Sequence, residues 1–160
     1  MKINDDHLYR GAALTQVAEH TSFKAINSFM SNNSRSRSAF LINRDIGLYL
    51  KYASDAKGTY DEYIFTFSQE HLEELATIRL QNAKVFIGLI CVSARQICGI
   101  SYDTLLSMIT ERKRLKGTDE ATYTVLVTVP KGKRFRAYMS PPGKKKEKIC
   151  EQVVPRDSEP

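Results

Sequence analysis

The stretch 84–109, KVFIGLICVSARQICGISYDTLLSMI, constrains the fold more than any other part of the chain. Residues 85–92 are apolar apart from one glycine, the pattern of a strand buried on both faces. A second strand is expected at 96–100, and Ser101 stands where it can cap a helix over 102–115. On that helix Leu105, Leu106 and Ile109 face inward, and Gly117 supplies the left-handed stop after the last turn. A strand hidden on two sides needs covering elements on both, so the remaining segments must pack around this one.

Upstream, Asn4, Asp5 and Asp6 offer N-caps for a helix over 7–20 whose buried stripe would be Leu8, Leu14, Val17 and Ala18, with Arg10 outside. Thr21 and Ser22 offer a further cap, and Phe23, Ile26, Phe29 and Met30 have the 3–4 spacing of a second short helix. Two such helices would form a helix-turn-helix, although the turn carries no glycine and no base-reading helix follows. The run SNNSRSRS at 31–38 reads as a polar loop whose Arg35 and Arg37 can touch phosphate. Strands are expected at 39–42, 47–52 and 63–67, joined as an antiparallel meander. Leu48 and Leu50 would be buried opposite a wet Tyr49 and Lys51, and Tyr63, Phe65 and Phe67 would share one face.

Ser68 caps a helix over 68–81, and the β-branched run 122–129 and the alternating run 134–139 complete the strands. The expectation is one α+β domain over 1–140, a mostly antiparallel sheet of six to seven strands covered by three helices. A flexible, disordered basic tail would occupy 141–160.

The combination LYRGAALTQVAEHTSFKAIN, KVFIGLICV and ICGISYDTLL resembles a family of small bacterial proteins with no assigned activity, over residues 8–110. The resemblance therefore transfers no chemistry. By element order alone (helix, three-strand meander, helix, strand) the chain also resembles the PD-(D/E)xK nucleases. That likeness implies Glu19, Asp45 and Lys51 as candidates to join a hard cation and an activated water at a scissile phosphate. The expected third strand, YIFTF, lacks the acidic residue and lysine of the motif. Asp45 is equally a turn residue, and Lys51 a solvent-facing one.

Charge gives the leading functional expectation. Residues 1–110 hold 11 basic and 11 acidic groups, whereas 111–160 hold 13 and 7, so the whole net charge of +6 lies in the last third. Lys131, Lys133, Arg134, Arg136, Lys144, Lys145, Lys146 and Lys148 fall within one short segment, with Tyr138 as a stacking surface. Cations spaced along a surface with flat groups for exposed bases suit a phosphate backbone of DNA or RNA. The same lysines and arginines also protect an edge strand against aggregation, in which case the chain is a protein-interaction or accessory module, for instance in bacterial stress or defence.

Enzymatic chemistry is not favoured. No Walker loop, GxGxxG, GxSxG or HExxH is present, so no cofactor is implied. Cys91 and Cys98 suit small core residues, and His7, His20 and His71 lack ligand spacing, so no metal site is read. Three cysteines without a CxxC, no apolar run of membrane-spanning length and an acidic N-terminal segment place the expectation in the cytoplasm.

Overall fold

In the computed structural model, which describes residues 1–31, 33–144 and 146–155, the two-faced apolar run is a strand, Lys84–Cys91. It is β5. Before it come helix α1 (Asp5–Glu19), strands β1 (Ile26–Ser31), β2 (Ser34–Ile42), β3 (Ile46–Ala53) and β4 (Glu62–Ser68), and helix α2 (Gln69–Gln81). After it come β6 (Gln96–Ser101), α3 (Tyr102–Lys116), β7 (Thr122–Thr128), β8 (Phe135–Met139) and β9 (Ile149–Val154). The class is α+β. Among the described residues its nine strands form two sheets, ordered β1-β2-β3-β5-β6 and β4-β7-β8-β9, where the sequence suggested one. Every pairing is antiparallel except β3 with β5, which run parallel from Ile46↔Lys84 to Ala53↔Cys91.

The inner face of the five-stranded sheet carries Tyr49, Ile87, Leu89, Cys91, Cys98 and Ile100 into the main core. The four-stranded sheet sends Phe65, Phe67, Val125, Val127, Phe135 and Ala137 into the same core. Leu75 and Ile78 of α2 and Leu105 and Met108 of α3 complete it. On the outer face α1 seals a smaller core of Ala13, Leu50 and Ile90. Strand β3 is thus covered on both sides, and Tyr49, expected to be wet, is 1% exposed. Helix α2 sits so close over β3 that a Cβ on Gly47 would collide with the Ile78 side chain.

Four expectations are corrected. The segment with helical spacing is β1, not a helix, which removes the helix-turn-helix. A run this short gains too few hydrogen bonds to offset helix nucleation, whereas as a strand it pairs Ile26 with Ile42 and carries Phe29 into the core. The polar run is a hairpin arm rather than a loop: Ser31 pairs with Ser34 and Met30 with Arg35, and Asn33 takes the φ of 61° that tight hairpin turns favour. Tyr63, Phe65 and Phe67 do share a buried face, but β4 leaves the meander and pairs with β7. The supposed tail contains β9, which pairs with β8 from Phe135↔Val154 to Met139↔Ile149 and packs on α3. Lys145 and residues 156–160 lie outside the described residues.

Helix α1 is also rotated from its expected stripe. Leu8 is 55% exposed, whereas the Arg10 side chain is only 16% exposed. The reason is a notch in the sheet. Pairing of β2 with β3 ends at Ala39↔Tyr49, yet β3 continues to Ala53 beside β5. Arg10 reaches the β2 segment beyond that pairing, donating from Nη1 to the Arg37 carbonyl at 2.8 Å and stacking over Tyr52.

Candidate functional site

Two regions concentrate polar chemistry. The first is the turn between β7 and β8. Pro130 ends the β-branched run, the Lys133 N–H donates to the Pro130 carbonyl at 3.2 Å, and Gly132 at φ 68° permits the reversal. Lys131, Lys133 and Arg134 are all exposed on this turn. From residue 121 to 146 the chain holds seven basic residues and no carboxylate.

Other members of the expected patch are engaged within the fold. Arg136 Nη1 and Lys148 Nζ both bind Glu151, at 2.8 and 3.1 Å, and Lys144 binds Glu147 at 3.2 Å. Lys146 is exposed, and Lys145 lies outside the described residues. Tyr138 does not offer the stacking surface that alternation suggested. It is 2% exposed, its hydroxyl donates to Glu62, and Lys148 Nζ stands 4.5 Å above its ring. Burial, with Glu62 second, holds its phenol above the usual range. Alternation along β8 suggested Arg136 and Tyr138 on one face, but Glu151, Glu62 and Lys148 engage both side chains.

The second region is an open groove of about 500 Å3 between β2 and α2, with Tyr49 of β3 contributing. Ser34, Ser36, Arg37 and Ser38 line one wall. Glu70, His71, Glu73, Glu74 and Thr77 line the other, a stripe set by helical spacing. The Tyr49 hydroxyl donates to Glu74 at 3.4 Å, and burial first, then the Glu74 charge, raises its pKa.

Lys51 follows Tyr49 on the same face of β3 and shares a partner with the groove: its Nζ lies 3.3 Å from His71 Nδ1. That nitrogen also accepts the Ser68 N–H at 3.2 Å as part of the α2 capping box, so it is the unprotonated one and Lys51 donates. The amine also lies 5.1 Å from the centre of the Phe67 ring. Desolvation, with the charge of Arg10 second, lowers the Lys51 pKa from 10.5 to about 8. Burial and then the Lys51 charge push His71 down as well.

The three nuclease candidates do not assemble. Glu19 is the exposed last residue of α1, and Asp45 is exposed in the β2–β3 turn beside Asn43 and Arg44, both at positive φ. Lys51 lies six residues beyond Asp45, and at a strand rise of ~3.3 Å per residue their backbones are roughly 20 Å apart. Ligation of a shared hard cation needs oxygens within about 2–2.6 Å. Among the described residues no group of three or more His, Cys, Asp or Glu side chains is placed to hold a metal ion.

Sequence reasoning missed the groove because it assigned Tyr49 and Lys51 to solvent and judged His71 only as a metal ligand. The available signal was a Tyr-x-Lys alternation on one strand together with Glu and His at helical spacing after Ser68. Comparisons with protein-family models, with curated proteins and with solved structures find no match to this chain.

Proposed function

We propose that the protein is a non-enzymatic, nucleic-acid-associated protein that grips the phosphate backbone through the β7–β8 turn. One observation carries the reading: Lys131, Lys133 and Arg134 are all exposed together on the β7–β8 turn. Cations clustered at an exposed tip attract a polyanion at long range and displace its counterions on contact. Arg136, Lys144 and Lys148 are engaged by glutamates and act mainly to hold β8, β9 and their connection together.

The test is binding of labelled duplex DNA, single-stranded DNA and RNA at low salt. The Lys131→Ala, Lys133→Ala, Arg134→Ala triple variant is expected to lose at least about tenfold in affinity, in keeping with the loss of several phosphate contacts. Lys144→Ala, whose cation is already paired, costs less. No detectable binding by the wild-type protein would leave the interaction-module reading, in which the charge serves solubility and edge protection.

A further inference from the structure

We propose that Tyr60 is a base-stacking residue and that the nucleic acid gripped by the β7–β8 turn is single-stranded, with phosphates on the turn and an unpaired base on the Tyr60 ring. This deepens the proposed function and rests on it.

Two observations carry it. First, Tyr60 is 51% exposed, whereas every other tyrosine and phenylalanine of the chain is buried or half-buried. The stacking surface that alternation suggested at Tyr138 is closed, and Tyr60 is where a ring is open. It is also held in place. Residues 58–61 form a turn closed by Lys57 and Glu62, whose backbone N–H groups donate to each other's carbonyls at 2.8 and 3.0 Å. The Asp61 N–H donates to the Gly58 carbonyl at 3.3 Å, and Gly58 and Asp61 take the positive φ, 73° and 48°, of a tight reversal. Just before the turn Ala56 packs against the main core. A ring presented on backbone fixed in this way loses little conformational freedom when a base stacks on it.

Second, register puts the ring at the same end of the sheet as the cations. Glu62, which follows the 58–61 turn, pairs with Thr128, the last residue of β7, and Thr128 pairs in turn with Arg136 of β8. The 58–61 turn and the β7–β8 turn therefore leave one end of the four-stranded sheet from adjacent strands, whose axes lie about 4.8 Å apart. A strand of nucleic acid held by Lys131, Lys133 and Arg134 runs alongside Tyr60.

The two turns divide the work. The loop before β4 sets Lys57 against Asp55 and Asp61, so it adds no net attraction for phosphate. Glu62 is occupied by the Tyr138 hydroxyl. What this loop contributes is a flat π-face, which stacks on any base whose own face is open. Bases inside a duplex are already stacked on their neighbours, and taking one out costs free energy. A single strand offers its bases without that cost.

The experiment measures binding of one mixed-sequence oligonucleotide as single-stranded DNA, as RNA, as duplex DNA and as an abasic strand that keeps the phosphates and lacks the bases. Single strands are expected to bind more tightly than the duplex or the abasic strand, and equal or tighter binding of the duplex contradicts the assignment. Tyr60→Ala is expected to cost about fivefold or more on the single strands and nothing on the abasic one. A loss on the DNA, the RNA or both supports the proposal and names the strand. The slope of log K against log salt should not change, because no phosphate contact is removed. Tyr60→Phe keeps the ring and should bind as the wild-type protein does. Tyr60→Trp gives a chain without tryptophan one indole, and its fluorescence should be quenched by the single strand and not by the abasic one. Unchanged single-strand affinity in Tyr60→Ala, with binding still weakened in the Lys131→Ala, Lys133→Ala, Arg134→Ala variant, overturns the stacking role and leaves the phosphate grip standing. No binding of any oligonucleotide by the wild-type protein overturns both.

Discussion

Lys51 holds a charge that its surroundings do little to compensate, and the consequence for stability has a definite sign. The folded chain binds the proton less tightly than the unfolded chain, at about 8 against 10.5. The cost of protonation is therefore fully present below pH 8, shrinks as pH rises, and is gone above 10.5. Replacement by methionine, Lys51→Met, keeps an unbranched apolar stem and removes the charge. It is expected to stabilise the protein at pH 7 by on the order of 1 kcal/mol once residual solvent exposure is discounted, with the gain closing toward pH 10.5 in paired denaturant titrations. A carboxylate shows the opposite sign. Glu120 takes a bidentate pair from Arg112, at 2.7 and 2.8 Å, and a contact from Lys116 at 3.0 Å. Arg112 holds its carboxyl down at about 2, from 4.5. This contribution is fully present above pH 4.5 and is lost as pH falls toward 2. Glu120→Gln should destabilise at neutral pH and flatten the acid limb of the stability profile measured by circular dichroism. None of this was legible in the sequence. Residue type announces a lysine or a glutamate, but desolvation and pairing belong to the neighbours that tertiary structure brings up.

At the scale of elements, local signals were read well wherever the chain states its own boundary. Asn4, Ser68 and Ser101 cap the three helices as their side chains suggested, and Gly117 closes α3 at φ 82°. The misread elements are those whose identity depends on a partner. The spacing of Phe23, Ile26, Phe29 and Met30 points to a helix, and only the pairing with β2 makes Ile26–Ser31 a strand. The apolar face of β4 was legible, but its partner β7 is more than fifty residues away and leaves no local trace. Close approach is similarly hidden, and it carries a prediction. Gly47→Ala places a methyl group against Ile78 and should cost about 1–3 kcal/mol in urea denaturation. Gly99→Ala, with nothing within 4 Å of the new carbon, should cost much less. The strand character of β9 is checked by amide exchange: the hydrogen-bonded amides of Ile149–Val154 should be protected, where a disordered tail would exchange at once.

At the scale of the whole molecule, two sheets share one core and leave polar chemistry at separate places on the surface. No helix among the described residues is long and apolar enough to cross a membrane. The charge asymmetry was legible from composition, since every excess cation lies beyond residue 110. What composition could not show is how glutamates and β9 divide that charge, engaging Arg136, Lys144 and Lys148 and burying Tyr138, while the β7–β8 turn keeps its three cations at the surface. The proposal that this turn grips nucleic acid is tested most directly by the salt dependence of duplex DNA binding, compared between the wild-type chain and the Lys131→Ala, Lys133→Ala, Arg134→Ala variant. If all three cations displace counterions, the slope of log K against log salt should become shallower by about 2.7. Identical slopes for the two proteins would contradict the account.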